Sequence, residues 1–317
     1  MTGGTPVPFD VMSREALQVE IWNRLCHGAS LEDLGLPMVE GRMDLGGLQR
    51  PDPPVVRRVR TPVADVTEIQ ATAMFRGARW RDLDFSGSRL NALRLLGCEI
   101  ENCRFDNCQM RDLRMWSTTL KASTFRRSNL RDSALGAVEN GQRNRFSGVE
   151  FTHTDLRGSG FTAADFDHCL FRESHLEKID FQTSRFSDCV FEGDLRDVIF
   201  HRRGFRGEAF PPNEMINVDF TRARLRDVGF RGLRLDRVRL PNDAEHWLIQ
   251  DYPKVLDQLI ETLQPDPDPG SRKLVAYLKI LRKWSPPDQA QGVINLIDLT
   301  DVVGAEVVDR VRQLLNR

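Results

Sequence analysis

From Phe75 to Leu240 an apolar residue recurs at every fifth position. The run reads Phe75, Trp80, Phe85, Leu90, Leu95, Ile100 and Phe105, then continues by fives to Leu135. It restarts at Phe146 and runs to Phe191, and restarts again at Leu195 and runs to Leu240. Of the 18 phenylalanines only Phe9 lies off this grid. A helix shows a period near 3.6 and a strand a period of 2, so a period of five is neither. Sustained over this length it marks a repeat architecture, and a repeat is read before any local propensity.

The position two before each centre is also restricted. It is small in most units, as at Ala78, Ser88, Cys98, Cys103, Cys108, Ser128, Thr154, Ala164 and Cys189. The other positions are mostly charged residues, Asn or Gly. One large and one small residue therefore point inward per unit, and a narrow solenoid accounts for both. The units Ser128-Asn129-Leu130-Arg131-Asp132, Ala164-Asp165-Phe166-Asp167-His168 and Val218-Asp219-Phe220-Thr221-Arg222 resemble the pentapeptide-repeat family.

The resemblance implies a mainly β chain: a right-handed quadrilateral β-helix with four units per coil and residues twenty apart stacked. The repeats suffice for about eight coils at a strand spacing of about 4.8 Å. No proline occurs between Val63 and Phe210, which suits a continuous ladder. Three zones disturb the grid. Leu135 to Phe146 reads as a projecting loop over 136–145. Phe191 to Leu195 is one residue short. His201 to Ile216 keeps its centres, Phe205 and Phe210 among them, but loses its small positions to Arg203, Glu208 and Asn213, and Pro211-Pro212 interrupts the wall.

Three units are expected: a helical and extended cap over 1–62, the β-helix over 63–241, and an α-helical domain over 242–317. In the cap, Ser13 is placed to start a helix that ends at Gly28, with Leu17, Ile21 and Leu25 on one face and Trp22 beside them. Ser30 to Leu34 reads as a short turn, and Arg50 to Pro54 as an extended linker. In the last unit, Pro253 opens a helix carrying Val255, Leu256, Leu259, Ile260 and Leu263. Ser271 opens a second with Leu274, Leu278 and Leu281. Asp288 with Gln291 resembles a capping box, and a final helix is expected from about Thr300. An association surface on these helices predicts a homodimer.

The formal net charge is −1, and arginine far outnumbers lysine among the 45 basic residues. The charge is banded: residues 146–194 are rich in acids, and both flanks are rich in bases. Nothing in the first ten residues resembles a secretory signal, and no apolar stretch reaches the length of a membrane span, which predicts a cytoplasmic protein. Five of the six cysteines hold the small inward position, where buried reduced thiols are expected. The six histidines show no ligand spacing, and no phosphate loop or nucleophile elbow occurs, so neither an enzyme nor a cofactor is expected.

That leaves a non-enzymatic, protein-binding scaffold. The resemblance adds an alternative, since well-known members of the family imitate duplex DNA and bind DNA gyrase or topoisomerase IV, protecting the enzyme from its poisons. Direct nucleic-acid binding is disfavoured because the aromatics point inward and leave no exposed stacking platform. Loops on rigid scaffolds concentrate binding residues. The candidate partner-binding residues are therefore Glu139, Asn140 and Arg143 of the loop, with Asp165, Asp167, Glu173, Asp188 and Glu192 of the acidic band.

Overall fold

The computed structural model describes residues 13–50, 55–56, 59–60, 65–66, 69–70, 74–139, 141–204 and 211–315. Phe9, Asn140, Phe205, Phe210 and most of the 51–73 segment lie outside the described residues or have undescribed side chains.

The grid residues build a parallel coil with four walls. Phe75, Leu95 and Met115 pair in register on the first wall. Trp80, Ile100, Leu120, Phe146, Phe166 and Phe186 do so on the second. The third wall carries Phe151, Phe171 and Phe191. The fourth is joined by single bridges such as Gln109 with Asn129 and Asp155 with His175, and from Leu176 on by a ladder through Leu195 and Leu225. Every described centre is buried except Phe230, which is partly buried. Under the third wall the rings of Phe85, Phe105 and Phe125 stack with centroids 5.0 Å apart. Phe151, Phe171, Phe191 and Phe220 extend the stack at 5.4, 4.9, 4.7 and 4.8 Å. This is the strand spacing of the ladder, so one pitch serves both backbone and rings.

The small inward residue does more than leave room. Ser128 Oγ accepts from the Cys108 N–H at 2.9 Å and donates to the Phe105 carbonyl. Thr118 does the same between Cys98 N, at 3.3 Å, and Leu95 O, at 3.2 Å. Cysteine keeps half of this role: Cys108 Sγ donates to Phe85 O at 3.0 Å. All five inward cysteines are buried and free, and Cys26 is exposed. Burial pushes the Cys103 and Cys108 thiols up to about 12, and burial with Cys169 beside it pushes Cys189 up as well. Most corners turn at a residue of positive φ two after the centre, such as Asn102 (50°), His168 (51°), Glu173 (49°) and Asp188 (53°). That backbone favours Gly, Asn and Asp and points the corner side chain outward.

The register corrects two readings of the grid. Between Leu135 and Phe146 there is a single step, not two. Leu120 pairs with Phe146 across the break, and the extra residues form a short antiparallel hairpin of Val138–Glu139 with Gln142–Ser147. The expected loop is thus a strand pair rooted in the second wall. Near the other end, Phe200 pairs with Phe230 and Leu195 with Leu225, while Ile216 N donates to Phe186 O at 3.0 Å. One wall step therefore joins Phe200 to Met215. The grid counts two further steps in this interval, at Phe205 and Phe210, which lie outside the described residues.

The coil also reaches further back than the grid. Met43 pairs with Leu83 and Asp44 with Asp84 in parallel, and Gln49 bridges Arg89. Leu45 and Leu48 are buried in the same core. Residues 42–50 thus sit on the third and fourth walls, and 51–73 interrupts them. Helix α1 (Arg14–His27) closes this end. Ser13 Oγ accepts from Ala16 N and Gly28 ends the helix at φ 65°. Ile21, Trp22 and Leu25 face the coil, with Trp22 edge-on to Phe75 at 5.6 Å.

Beyond Leu240 a second apolar cluster forms around Ile249, Leu256, Leu274, Leu278, Ile294, Leu299 and Val311. It holds α2 (Tyr252–Leu263), α3 (Pro269–Trp284), α4 (Leu296–Val303) and α5 (Ala305–Leu315). Asp268, not Ser271, caps α3 by accepting from Ser271 N. The capping-box reading of Asp288 and Gln291 is overturned: Gln291–Asn295 is a strand, antiparallel to His246–Gln250. A Cβ at Gly292 would lie 2.4 Å from the Tyr252 ring, so the close packing there requires glycine. The final helix starts earlier than Thr300 and is split at Gly304, whose φ is 88°. Among the described residues no helix is long and apolar enough to cross a membrane.

Candidate functional site

On each strand the residues flanking a centre face outward, and the pitch brings charges of successive coils within reach. Arg79 meets Glu99 at 3.5 Å and Arg81 meets Glu101 at 2.5 Å. Arg111 meets Asp132 at 2.7 Å. The arginines are therefore first of all axial partners for acids one coil away. Exposed pairs of this kind contribute about 0–1 kcal/mol each, but they decide which charges remain open to a partner.

Arginines pair with half of the acidic band: Glu150, Asp155, Asp165, Glu192 and Asp194. Asp165 lies 2.8 Å from Arg143 Nε and 2.6 Å from Arg185. Glu192 takes Arg172 at 2.5 Å and Arg222 at 3.3 Å. The Arg126 hydrogen bond holds the Glu150 carboxyl below its ordinary range against the opposing effect of burial. Burial works against ionisation of Asp155 too, and its bonds to Arg157 outweigh it.

Asp167, Glu173, Glu177, Asp180 and Asp188 of the band have no Arg or Lys ion pair among the described residues, and Asp180 meets His201 at 3.0 Å. Asp167 accepts from Ser147 Oγ at 3.3 Å and Ser187 Oγ at 3.2 Å, with His168 Nδ1 at 3.0 Å. Asp188 accepts from Asn217 Nδ2 at 3.1 Å. Glu173 is exposed at a corner. Asp167, His168 and Asp188 converge where the second wall turns into the third, with ligand atoms within 4.8 Å of one another. They are the residues best placed to hold a cation, although exposed carboxylates at this spacing are common without one. Glu173 stands at the far corner of the third wall, where its N–H bonds to Glu192 O at 2.9 Å.

The hairpin corrects part of the expected site. Glu139 is exposed at its tip, its carbonyl held by Ser117 Oγ at 2.8 Å. Asn140 lies outside the described residues. Arg143 is buried at 8% exposure. Its guanidinium donates to the carbonyls of Thr183 and Ala164 besides meeting Asp165. It anchors the hairpin to the next two coils and is not available to a partner. Sequence reading also passed over Asn144, whose Nδ2 donates to Met115 O at 2.8 Å and Leu135 O at 3.0 Å. Its signal was its place two before Phe146, the small inward position. The proposed residues thus do not form one patch. Asp167, Asp188, Glu173 and Glu192 frame the third wall, while Asp165 and the hairpin belong to the second wall and its first corner.

Comparison with known proteins gives one family match: residues 145–188 fit the model for pentapeptide repeats in 8 copies. No curated protein sequence matches the chain. Among solved structures, one of QnrB1, a plasmid-mediated fluoroquinolone resistance protein, is 20% identical over 53% of this chain and 82% of its own, with a TM-score of 0.26. HetL, a pentapeptide-repeat protein of the cyanobacterium Nostoc involved in regulating heterocyst differentiation, is 13% identical over 70% of this chain and 92% of its own, with a TM-score of 0.25. Likeness at this level carries no argument about function.

Proposed function

We propose that this chain, a member of the pentapeptide-repeat family, is a non-enzymatic cytoplasmic scaffold that binds a protein partner along the third wall of a right-handed quadrilateral coil of about eight turns. The N-terminal cap, coil and C-terminal helical unit act as three parts of one scaffold. The observation that carries this reading is the selective pairing of charge. Arginines neutralise Asp165, Glu150, Asp155 and Glu192, whereas Asp167, Glu173 and Asp188 are left open at the two edges of one rigid wall. Preorganised carboxylates of this kind favour a basic surface on the partner and steer its approach.

The alternative, a mimic of duplex DNA on DNA gyrase or topoisomerase IV, draws on the same open carboxylates. The two readings separate in a gyrase supercoiling assay titrated with the protein, with and without a gyrase poison. Altered supercoiling or relief of the poison supports mimicry, and unchanged activity leaves the general scaffold. For either partner, reversing Asp167, Glu173 and Asp188 together to Lys is expected to abolish binding while the circular dichroism spectrum stays unchanged. Binding that survives the triple reversal contradicts the assignment of the third wall.

A further inference from the structure

The end of the coil and the helical segment enclose a cleft of about 210 Å³. Phe230 comes to it from the coil, Tyr277 and Trp284 from α3, and Gln289 from the segment after α3. Phe230 is the one described grid centre that is not fully buried, and the cleft is where its ring emerges. An apolar cavity of about 150 Å³ is enough to hold a benzene ring.

Asp197, Asp227, Asp298 and Gln289 line the cleft, with Arg231 as its one cation among the lining residues. Gln289 is 4% exposed, and its Nε2 donates to Gln291 O at 2.8 Å. Its Oε1 has no hydrogen-bond partner among the described residues. Buried acceptors are rarely left unmade, so this carbonyl calls for a donor. Asp197 and Asp227 sit at the same corner of two stacked coils, at φ 53° and 49°, and both line the cleft. Asp298 lines it too, but its carboxylate is occupied by Arg226 Nε at 2.5 Å and Asp227 N at 2.6 Å. Arg231 lies 4.8 Å over the Trp284 ring and Arg226 is turned to Asp298 and Asp301. Among the described residues no cation pairs with Asp227. Burial, with Asp197 and Asp298 close by, pushes its carboxyl up.

We propose that this cleft binds a small cation bearing N–H donors on a flat apolar body, a guanidinium or amidinium, with Gln289 Oε1 and the Asp227 carboxylate as its acceptors. The aromatic side chains take the body of the ligand, and aromatic faces favour a cation above a neutral group of the same shape. The acids exclude an anion. The ligand is a free small molecule or the arginine of a partner peptide, and both present the same chemistry. The site is independent of the third wall, and its failure leaves the scaffold reading untouched.

The test is isothermal titration of the full chain with benzamidine, with its neutral counterpart benzamide, and with a capped Gly-Arg-Gly peptide. Benzamidine is expected to saturate one site and to bind at least about tenfold more tightly than benzamide, the scale of a hydrogen bond to a charged group. Asp227→Asn and Gln289→Met should each weaken benzamidine by about the same factor, and Glu99→Gln, an exposed residue of the second wall far from the cleft, should not. Asp227→Asn doubles as the folding control. A carboxyl raised in the folded state destabilises that state once it ionises, so the variant should unfold no earlier than the parent at neutral pH. Peptide binding as tight as benzamidine identifies a partner's arginine; binding of benzamidine alone identifies a free small cation. Equal affinity for benzamidine and benzamide, no saturable binding, or binding indifferent to Asp227→Asn overturns the proposal.

Discussion

Inward serines of the coil satisfy amides of the preceding coil, as Ser123, Ser128, Ser133 and Ser184 do for the residues twenty before them. Cys108 N–H has Ser128 Oγ as its acceptor, and the same hydroxyl reaches Phe105 O. Ser128→Ala leaves a buried donor unmade and is expected to cost about 1–3 kcal/mol, read as a lower midpoint in urea. Ser128→Cys should cost less, because Cys108 itself shows a thiol donating to the equivalent carbonyl. Equal loss for both variants contradicts the hydroxyl ladder. At this scale the sequence was informative about position and silent about chemistry. A small residue two before each centre was visible, but Ser, Thr and Cys there read as space-savers. Their bonds depend on a partner one coil away, which no local pattern reports. The charges were less legible still. Asp165 and Asp167 flank one centre and look equivalent in sequence, yet Arg143 and Arg185 occupy the first, and only serines and His168 meet the second.

The hairpin is the element that a grid break announces without describing. Its root is fixed by Gly136, where a Cβ would lie 2.4 Å from the Phe161 backbone, and by Asn144 and Arg143. Excising Ala137 to Gln142 brings Leu135 and Phe146 back to the ordinary spacing. That deletion is expected to leave a folded coil, with parent-like far-ultraviolet circular dichroism and a single cooperative melt. Loss of folding contradicts the view that these residues are an insertion into one wall step. Other elements were hidden for physical reasons. The strands His246–Gln250 and Gln291–Asn295 pair across two intervening helices, so no short turn marks them. Met43 and Asp44 pair with Leu83 and Asp84 forty residues on, because 51–73 separates them from the rest of the coil. By contrast, α1 was readable to its ends, since Ser13, Gly28 and the Ile21, Trp22 and Leu25 face are all local signals.

On the scale of the molecule, a solenoid is a sum of neighbour contacts and its ends are its weak points. The last coil has open backbone groups, and the C-terminal segment meets them one by one. His246 Nε2 accepts from Leu225 N at 2.9 Å, and Trp284 O accepts from Gly232 N at 2.7 Å. Gln291 Nε2 donates to Leu235 O and Val238 O at 2.8 and 3.1 Å. Removal of residues 242–317 is expected to lower the melting temperature and promote association through the exposed edge. Sedimentation of parent and truncated chains reads the result, and an unchanged melting temperature with unchanged sedimentation contradicts the capping role. A parent chain that sediments as a dimer supports the association expected of the helical segment.

The central claim is that the third wall and its open corners are the recognition surface. Site-specific photo-cross-linking tests it most directly, with a photoreactive residue placed at His168 in one variant and at Asn129, on the fourth wall, in another. Irradiation in the cells that make the protein should give a discrete adduct of one partner protein at position 168, which disappears when Glu173 and Asp188 are changed to Lys. The same position on the fourth wall should give none. Adducts of equal yield and identity at both positions, or an adduct at 168 that survives the charge reversal, contradict the account.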